Sequence, residues 1–407
     1  MSTMHGAAAF GLRGFLLASA ALLSIGATDV PASLSTVPAI AQAPVAAPIA
    51  ATWPVESARQ LLTAIEGAPA EGLRASDYNP AALRRAIEGG AGAELDRVAQ
   101  ASAQTLAHDY AFGRVSDRES FDWHIARSMD EMAGLSGRLT QAVAAGKVGP
   151  FLASLLPGDP RYAALRDALP GASGGDRDRI RANMERWRWM PRDLGRDYLY
   201  VNVPSYRLRV FDDGMPTSTY TVVVGAPDTP TPLMMTPATS VVVNPWWNVP
   251  QSIIRKSNMR AGRPGFVYAS SGGQLSVRQP PGPRNALGKI KFNLINDQAI
   301  YLHDTPAKAG FARDDRALSH GCIRVKDIDQ LAAELMRDGG DAGAFDEALA
   351  QTRTETVPLP KRWNVYLVYF TMDRDDDGAL VSYGDPYGRD AQLAARLDGG
   401  GMRIASN

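Results

Sequence analysis

The spacing of apolar residues changes once along this 407-residue chain, and the change divides it into two kinds of fold. Between 53 and 170, apolar side chains recur at helical spacing, for example at 55–65, with Gly and Pro between the repeats. A glycine-rich break at 171–175 follows, and from Tyr198 the apolar residues alternate instead. The sequence therefore predicts an α+β protein, with an α-helical N-terminal scaffold followed by a β-rich domain.

The second half divides into short strands separated by Pro and Gly turns, which is typical of a sandwich or a barrel-like sheet. The predicted strands are 198–203, 206–211, 220–224, 240–243, 274–277, 289–294, 299–302 and 364–372. A charged helix at 177–188 precedes them, and a further helix is predicted at 327–336. The run from Asp373 to Gly378 resembles the start of a calcium loop, but Gly384 stands where the closing Glu is needed. A polar hairpin turn is the favoured interpretation.

Charge and composition exclude several classes of protein. The chain has 43 Lys plus Arg and 43 Asp plus Glu, so no overall field favours a polyanion. Nucleic-acid-binding motifs are absent from the sequence, and no nucleic-acid partner is expected. His108 and His124 each stand alone, as ordinary core or surface histidines do, and no metal site is predicted.

The first 43 residues have the composition of a secretory signal peptide and leader. Arg13 precedes an apolar run at 15–25 that is too short to span a bilayer comfortably. Small residues follow, with candidate cleavage sites near Ala27 and Ala43. An uncleaved membrane anchor is the alternative, because the positively charged region before the apolar run is weak.

One cysteine, Cys322, stands in the run Ser-His-Gly-Cys-Ile-Arg-Val at 319–325. A lone cysteine cannot form an internal disulfide, and in an exported protein its thiol would be open to oxidation. Gly321 permits a close backbone approach beside the sulfur, while His320 and Arg324 favour the thiolate. These neighbours predict a reactive cysteine rather than an inert buried one.

A thiol nucleophile needs a base, and the candidates are His303 and His320. His320 lies two residues before Cys322, a spacing that rarely gives in-line hydrogen-bond geometry. His303 follows the predicted strand 299–302, and a strand end beside the cysteine loop is a normal way to build a Cys/His pair. A papain-like peptidase is excluded, because its histidine follows the cysteine and no His follows Cys322.

These motifs together resemble the L,D-transpeptidases, which have a YkuD-type catalytic domain, and are most similar to the large periplasmic enzymes of the YcbB type. The likeness is carried by His303-Asp304-Thr305-Pro306, by the block 316–325 and by Asn-Pro-Trp-Trp-Asn-Val-Pro at 244–250. Further matching motifs lie at 186–191, 222–225, 229–232 and 385–390. The resemblance supports His303 rather than His320 as the base.

The resemblance implies a role for each matching residue. Cys322 would be the nucleophile and His303 the general base and acid, with backbone N–H groups around Gly321 and Cys322 forming an oxyanion hole. Ser319, Gly321 and His320 would shape the nucleophile loop. The substrate-binding residues would be Arg324, which would pair with a carboxylate of the loop or of the substrate, together with Thr305, Trp247 and Asn248.

The reaction implied is the formation of 3→3 meso-diaminopimelate cross-links in peptidoglycan through a cysteine acyl-enzyme, with a role in cell-wall biogenesis and cell shape. The partners would be a tetrapeptide donor stem and a diaminopimelate acceptor, with cell-wall synthesis or envelope proteins as further candidates. No metal or organic cofactor is implied, and the location would be periplasmic. Carbapenems would be expected to acylate Cys322.

Two other functions remain open from sequence. The same Cys/His site could serve an L,D-carboxypeptidase or endopeptidase, with water as acceptor, or an enzyme that anchors a protein to peptidoglycan. A non-catalytic cell-wall scaffold is the second alternative. Only the interval 170–175 separates the helical region from the helix at 177–188, so no peptidoglycan-binding module is seen there.

The predicted organisation follows from these assignments. A signal peptide and leader at 1–43 precede a helical scaffold at 44–176 and a linking helix at 177–195. The catalytic domain spans 196–350, and a C-terminal strand and tail at 351–407 pack on it. Within the catalytic domain, 251–289 would be a lid over the groove, short and formed mostly of loops because Gly and Pro punctuate it.

Overall fold

The protein is described by a computed structural model that covers residues 52–337, 339, 342–375 and 377–399. The signal peptide and leader predicted at 1–43 lie outside the described residues. All described residues belong to one compact unit. Within them, none of the helices combines the length and the apolar composition that crossing a bilayer requires.

The predicted helices at 53–170 are present, and twelve α-helices are found in the part of the chain that the structure describes. The first of them begins after Pro54 and buries one apolar stripe, which includes Leu61 and Ile65. The helices are α1 Val55–Gly67, α2 Pro80–Glu88, α3 Ala93–Phe112, α4 Met129–Ala133, α5 Leu135–Ala144, α6 Val148–Ser154, α7 Pro160–Ala168, α8 Gly174–Trp189, α9 Gln251–Lys256, α10 Ile328–Met336, α11 Ala342–Ala350 and α12 Arg389–Asp398.

Helix α8 joins the helical region to the rest of the protein. Every residue from 180 to 189 is buried, charged residues included, so this part of the helix is enclosed on all sides. Trp187 stacks on Phe370, with 4.8 Å between the ring centroids. Arg188 forms an ion pair with Glu185 at 2.8 Å, and both side chains are fully buried. Pro191 follows the helix, as predicted, and its ring cannot continue the hydrogen-bond ladder.

The strands form one large sheet and two small ones. They are β1 Tyr198–Asn202, β2 Arg207–Asp212, β3 Met215–Gly225, β4 Met235–Val243, β5 Trp247–Asn248, β6 Val267–Ser271, β7 Gln274–Gln279, β8 Ile290–Leu294, β9 Leu302–His303, β10 Ala317–Ser319, β11 Ile323–Val325, β12 Glu355–Val368, β13 Met372–Arg374 and β14 Leu380–Ser382. Helices thus precede a β-rich region, which confirms the predicted α+β class.

The large sheet closes on itself. Its strand order is β10-β3-β11-β9-β8-β4-β12-β1-β2, and β2 also pairs with β3. β1 pairs in parallel with β12, placing Tyr198 opposite Asn364. Alternate residues of these strands fill the interior, among them Val201, Phe292 and Val365. A closed ring has no exposed edge between β2 and β3, which protects the sheet from pairing with other chains.

Several predicted strands have different bounds in the structure. The strands predicted at 220–224 and 240–243 each begin five residues earlier, as β3 at Met215 and β4 at Met235. The late strand predicted at 364–372 begins earlier, as β12 at Glu355, and a register shift lies between Pro358 and Trp363. Prolines are tolerated at such irregularities, but they obscure the alternating pattern in a sequence. The strand predicted at 299–302 is reduced to β9, because Ala299 adopts a left-handed conformation with φ of 55°.

The segment 251–289 is more ordered than the predicted loops. It contains α9, and β6 and β7 form a hairpin to which β5 pairs on the β7 side. The turn of the hairpin uses Gly272 and Gly273, both with positive φ. Val249, Ile254 and Val277 form a small apolar cluster of their own. The segment therefore has its own core, which its Gly and Pro content conceals.

The hairpin interpretation of the acidic run after Met372 is confirmed. β13 and β14 pair antiparallel, with Asp373 opposite Val381. Asp373 is fully buried and accepts a hydrogen bond from the Tyr200 hydroxyl at 3.1 Å, so its carboxylate is part of the core. Burial raises the pKa of this carboxyl above its ordinary value.

Candidate functional site

Sheet topology brings the two predicted catalytic residues together. β9 and β11 pair in parallel, with Leu302 opposite Ile323 and His303 opposite Arg324. Cys322 directly precedes β11, so it lies level with Tyr301, two residues before His303 on the neighbouring segment. Both side chains line a cavity of about 330 Å³. The cavity is bounded by Trp247, Pro250, Ser252, Ile253, Ser257, Ala286, Leu287, Gln298, Ala299, Ile300, Tyr301, His303, Ser319, His320, Cys322 and Arg324.

The imidazole of His303 is held in one tautomer. Its Nδ1 lies 2.5 Å from the carbonyl oxygen of Asp304. A carbonyl can only accept, so Nδ1 carries the proton and Nε2 of the neutral ring has a free lone pair. Burial lowers the pKa of His303 to about 4, although the bond to Asp304 opposes the shift. His303 is therefore neutral at physiological pH, with Nε2 ready to accept a proton.

The thiol of Cys322 is also in its neutral form. Burial raises its pKa to about 11, although a backbone hydrogen bond from Tyr301 and the charges of Lys291 and Arg324 act in the opposite direction. The sulfur donates to the carbonyl of Ala299 at 3.5 Å. The thiolate-favouring surroundings expected from Arg324 and His320 are thus outweighed by desolvation. Proton removal must then accompany nucleophilic attack, which is what a neighbouring base provides.

The nucleophile loop is braced from within by Ser319. The Ser319 hydroxyl donates to the carbonyl of Cys322 at 2.6 Å and accepts from the Gly321 N–H at 3.1 Å. Gly321 has a φ of 109°, which a residue with a Cβ rarely adopts. Since the Gly321 N–H is used inside the loop, Cys322 N–H, which has no acceptor among the described residues, is the better oxyanion donor.

The other predicted site residues divide into two groups. Trp247, His320 and Arg324 line the cavity with Cys322. Thr305 and Asn248 do not. Thr305 is buried and its hydroxyl accepts from the N–H of Ala307, whereas Asn248 is exposed on β5, where it pairs with Arg278 of β7. Thr305 shapes the chain after His303, and Asn248 belongs to the small sheet of β5, β6 and β7.

Arg324 lacks the loop carboxylate that the sequence led us to expect. It forms no ion pair with any residue that the structure describes, and burial lowers its pKa. Lys291 lies on β8, opposite His303. It was not predicted from the sequence, and it has no carboxylate partner among the described residues. Its ammonium lies 4.9 Å from the ring centroid of Tyr301. The signal for Lys291 was its polar position in β8 between the buried Ile290 and Phe292.

Alkylation of Cys322 by iodoacetamide is expected to accelerate continuously from pH 7 to about pH 11. The thiolate fraction of a group with a pKa of about 11 rises about tenfold per pH unit across this range. An unperturbed cysteine levels off above about pH 8.5. Rates measured by mass spectrometry on the folded protein and in urea would show the difference. A plateau below pH 8 in the folded protein would instead indicate a thiolate–imidazolium pair.

Two regions of the chain match known family models. Residues 196–351 match the L,D-transpeptidase catalytic domain, and residues 50–169 match the scaffold domain. Residues 196–351 are thus an L,D-transpeptidase catalytic domain. The chain has the YkuD catalytic domain and the scaffold domain found together in YcbB-type enzymes.

One curated relative of this chain is a Haemophilus influenzae protein that carries an L,D-transpeptidase name. It is 31% identical over 288 residues, which are 63% of this chain and 58% of the relative. The alignment thus spans little more than half of that protein.

Among solved structures, L,D-transpeptidase 1 of Mycobacterium tuberculosis is similar at a TM-score of 0.22 and 15% identity, over 42% of this chain and 61% of that chain. An L,D-transpeptidase from Mycobacterium smegmatis gives a TM-score of 0.24 and 15% identity, over 42% and 58%.

Proposed function

We propose that this protein is a peptidoglycan L,D-transpeptidase that forms 3→3 meso-diaminopimelate cross-links through an acyl-enzyme on Cys322. The observation that carries the proposal is the shared cavity of Cys322 and His303, with Nδ1 of His303 committed to the Asp304 carbonyl. This leaves Nε2 as the only imidazole nitrogen that can accept the thiol proton. A neutral pair of this kind, with His303 buried and Cys322 half-buried, suits acyl transfer, because the thiol proton can pass to the base as the sulfur attacks.

In the first half of the reaction, Nε2 of His303 takes the thiol proton as the sulfur attacks the carbonyl carbon at the L-centre of diaminopimelate. The oxyanion that forms would accept a hydrogen bond from Cys322 N–H. The tetrahedral intermediate then expels the terminal D-Ala, whose amine takes the proton from His303. A thioester on Cys322 and a neutral imidazole remain.

In the second half, the side-chain amine of a second stem attacks the thioester carbonyl. His303 accepts a proton from this amine and returns it to the departing sulfur as the amide bond forms. The free thiol is regenerated, so each turnover transfers one acyl group and releases one D-Ala.

Two cationic side chains near Cys322 favour binding of a substrate that carries free carboxylates. Arg324 and Lys291 are partly buried beside Cys322, and neither has a carboxylate partner among residues 52–399 as far as these are described. Desolvated cations are costly unless an anion pairs with them. Stem peptides carry carboxylates at the D-centre of diaminopimelate and at the C-terminus, and these groups would complete the site.

Intact-mass spectrometry of the protein incubated with a carbapenem is the decisive test. We expect a drug-sized adduct on the wild-type protein and none on Cys322→Ala. Digestion of the product of a stem-peptide reaction would then separate a 3→3 cross-link from the hydrolysed stem of a carboxypeptidase. The absence of any adduct on the wild type would overturn the proposal and favour a non-catalytic scaffold. The periplasm, where peptidoglycan lies, is part of the same proposal.

A further inference from the structure

We propose that Tyr387, in the C-terminal tail, is a positioning residue for the nucleophile loop, acting through Thr231. Its hydroxyl donates to the Gly225 carbonyl at 2.7 Å and accepts from the Thr231 N–H at 3.1 Å. Tyr387 does not line the cavity, so it would act on the reaction only through the loop. The kinetic test of this inference, acylation of Cys322, rests on the proposed function. The structural test, amide hydrogen exchange at 319–323, does not.

Thr231 links this hydroxyl to the residue before the nucleophile. The Thr231 hydroxyl donates to the Gly321 carbonyl at 2.7 Å and accepts from the Gly225 N–H at 2.9 Å. Thr231 is fully buried, so water cannot replace these bonds. The peptide between Gly321 and Cys322 therefore has its carbonyl fixed on one side, which directs the Cys322 N–H toward the opposite side.

The approach of these chains is too close for a side chain at Gly225. A Cβ built there would lie 2.5 Å from the Thr231 nitrogen and 2.7 Å from the Pro230 carbonyl carbon. Thr229 adds a second contact, since its hydroxyl donates to the Ser319 carbonyl at 3.0 Å. The loop at 229–231 thus packs between Gly225 and the nucleophile loop, and the Tyr387 hydroxyl contacts it through the hydrogen bond from the Thr231 N–H.

The C-terminal tail keeps the Tyr387 ring in place. The ring stacks on Tyr369, with 5.4 Å between centroids, and the Tyr387 N–H donates to the Tyr369 hydroxyl at 2.9 Å. That hydroxyl in turn donates to Asp385, which also accepts from the N–H groups of Arg389 and Asp390 at the start of α12. The guanidinium carbon of Arg389 lies 5.1 Å from the Tyr387 ring centroid.

The helical region reaches the same group of residues. Asp122 pairs with Arg389 at 3.5 Å, and the Asp122 carbonyl accepts from the N–H of Leu233 at 3.0 Å. The N–H of His124 donates to the Leu233 carbonyl at 2.6 Å. Leu233 lies two residues after Thr231, so the helical region fixes both ends of the Tyr387–Thr231 contact. Scaffold domain, C-terminal tail and nucleophile loop are in this way joined by one hydrogen-bonded path.

Tyr387→Phe tests the proposal, because it removes the hydroxyl and keeps the stacked ring. We expect acylation of Cys322 by a carbapenem to slow about tenfold, since small displacements of a reacting group have large effects on rate. We also expect amide hydrogen exchange at 319–323 to become about tenfold faster. The matched control is Tyr366→Phe, which loses a buried hydroxyl bond to the Leu194 carbonyl at 3.1 Å, away from the nucleophile loop.

The outcomes are distinguishable. If Tyr387→Phe changes neither acylation nor exchange at 319–323 beyond the change in Tyr366→Phe, the positioning role is wrong. If both variants slow acylation equally, the effect is a general loss of stability and the role is again wrong. If the wild-type protein is not acylated, the proposed function fails, and the exchange at 319–323 alone decides the positioning role. Asp122→Asn should also speed amide hydrogen exchange at 319–323, by less than Tyr387→Phe does.

Discussion

Replacing His303 by alanine is expected to slow acylation of Cys322 by a carbapenem by about 10²–10⁴-fold at neutral pH, the usual contribution of a positioned base. Burial keeps the thiol protonated, so without His303 only a very small fraction of the sulfur is reactive. The rate is measured by stopping the reaction at timed intervals and determining the fraction of adduct by intact mass.

The control is His320→Ala. His320 is exposed and lines the same cavity, so its removal should change the rate only a few-fold. Raising the pH toward 11 should partly restore the acylation rate of His303→Ala, because solvent then generates the thiolate that the base would have provided. Acylation of His303→Ala at the wild-type rate would remove His303 from the mechanism, and an equal loss in His320→Ala would contradict the assignment of the base to His303 rather than His320.

The largest expected effect on stability follows from Arg188→Met, which we expect to lower the free energy of unfolding by about 3–5 kcal/mol. The Arg188 guanidinium pairs with Glu185 at 2.8 Å and lies 3.3 Å from the Tyr162 hydroxyl, with no exposed surface. Methionine would leave the Glu185 carboxylate buried with its charge uncompensated. Urea denaturation followed by circular dichroism measures the change.

The double variant Glu185→Gln with Arg188→Met separates charge from packing. The introduced glutamine amide can still accept the Val115 N–H, which donates to Glu185 at 2.7 Å in the wild type. With both charges of the Glu185/Arg188 pair removed, the double variant should recover much of the lost stability. A double variant less stable than Arg188→Met would mean that packing and the remaining hydrogen bonds, rather than the buried charge, determine the effect.

Local patterns in the sequence predicted the helices well. The apolar repeat at 55–65 and the stop at Pro191 depend on neighbouring residues, and both are found. Closure of the large sheet through β2 and β3 could not be predicted, because register and curvature depend on the whole ring. The hairpin of β6 and β7 was missed for another reason, because its Gly and Pro residues are characteristic of loops and of tight turns alike.

The candidate site was predictable only where a short motif encodes it. Cys322 and His303 were found in this way, and their pairing remains a prediction about chemistry. The contacts that surround them come from distant parts of the chain. Tyr387 meets Gly225 and Thr231, and Lys291 reaches His303 across a strand pair. Such contacts arise from the order of strands in space, which no local spacing reveals.

The parallel pairing of β1 with β12 has a consequence for how the chain acquires its structure. β12 lies between β1 and β4 in the ring, so the ring cannot close until residues 355–368 are available. Pairing between such distant segments carries a large loop-closure entropy and slows folding. Until β12 docks, Cys322 lies in a sheet that has not closed, and we expect its thiol to be less buried there than in the completed fold. A nascent or truncated chain would therefore be more susceptible to thiol oxidation than the completed fold.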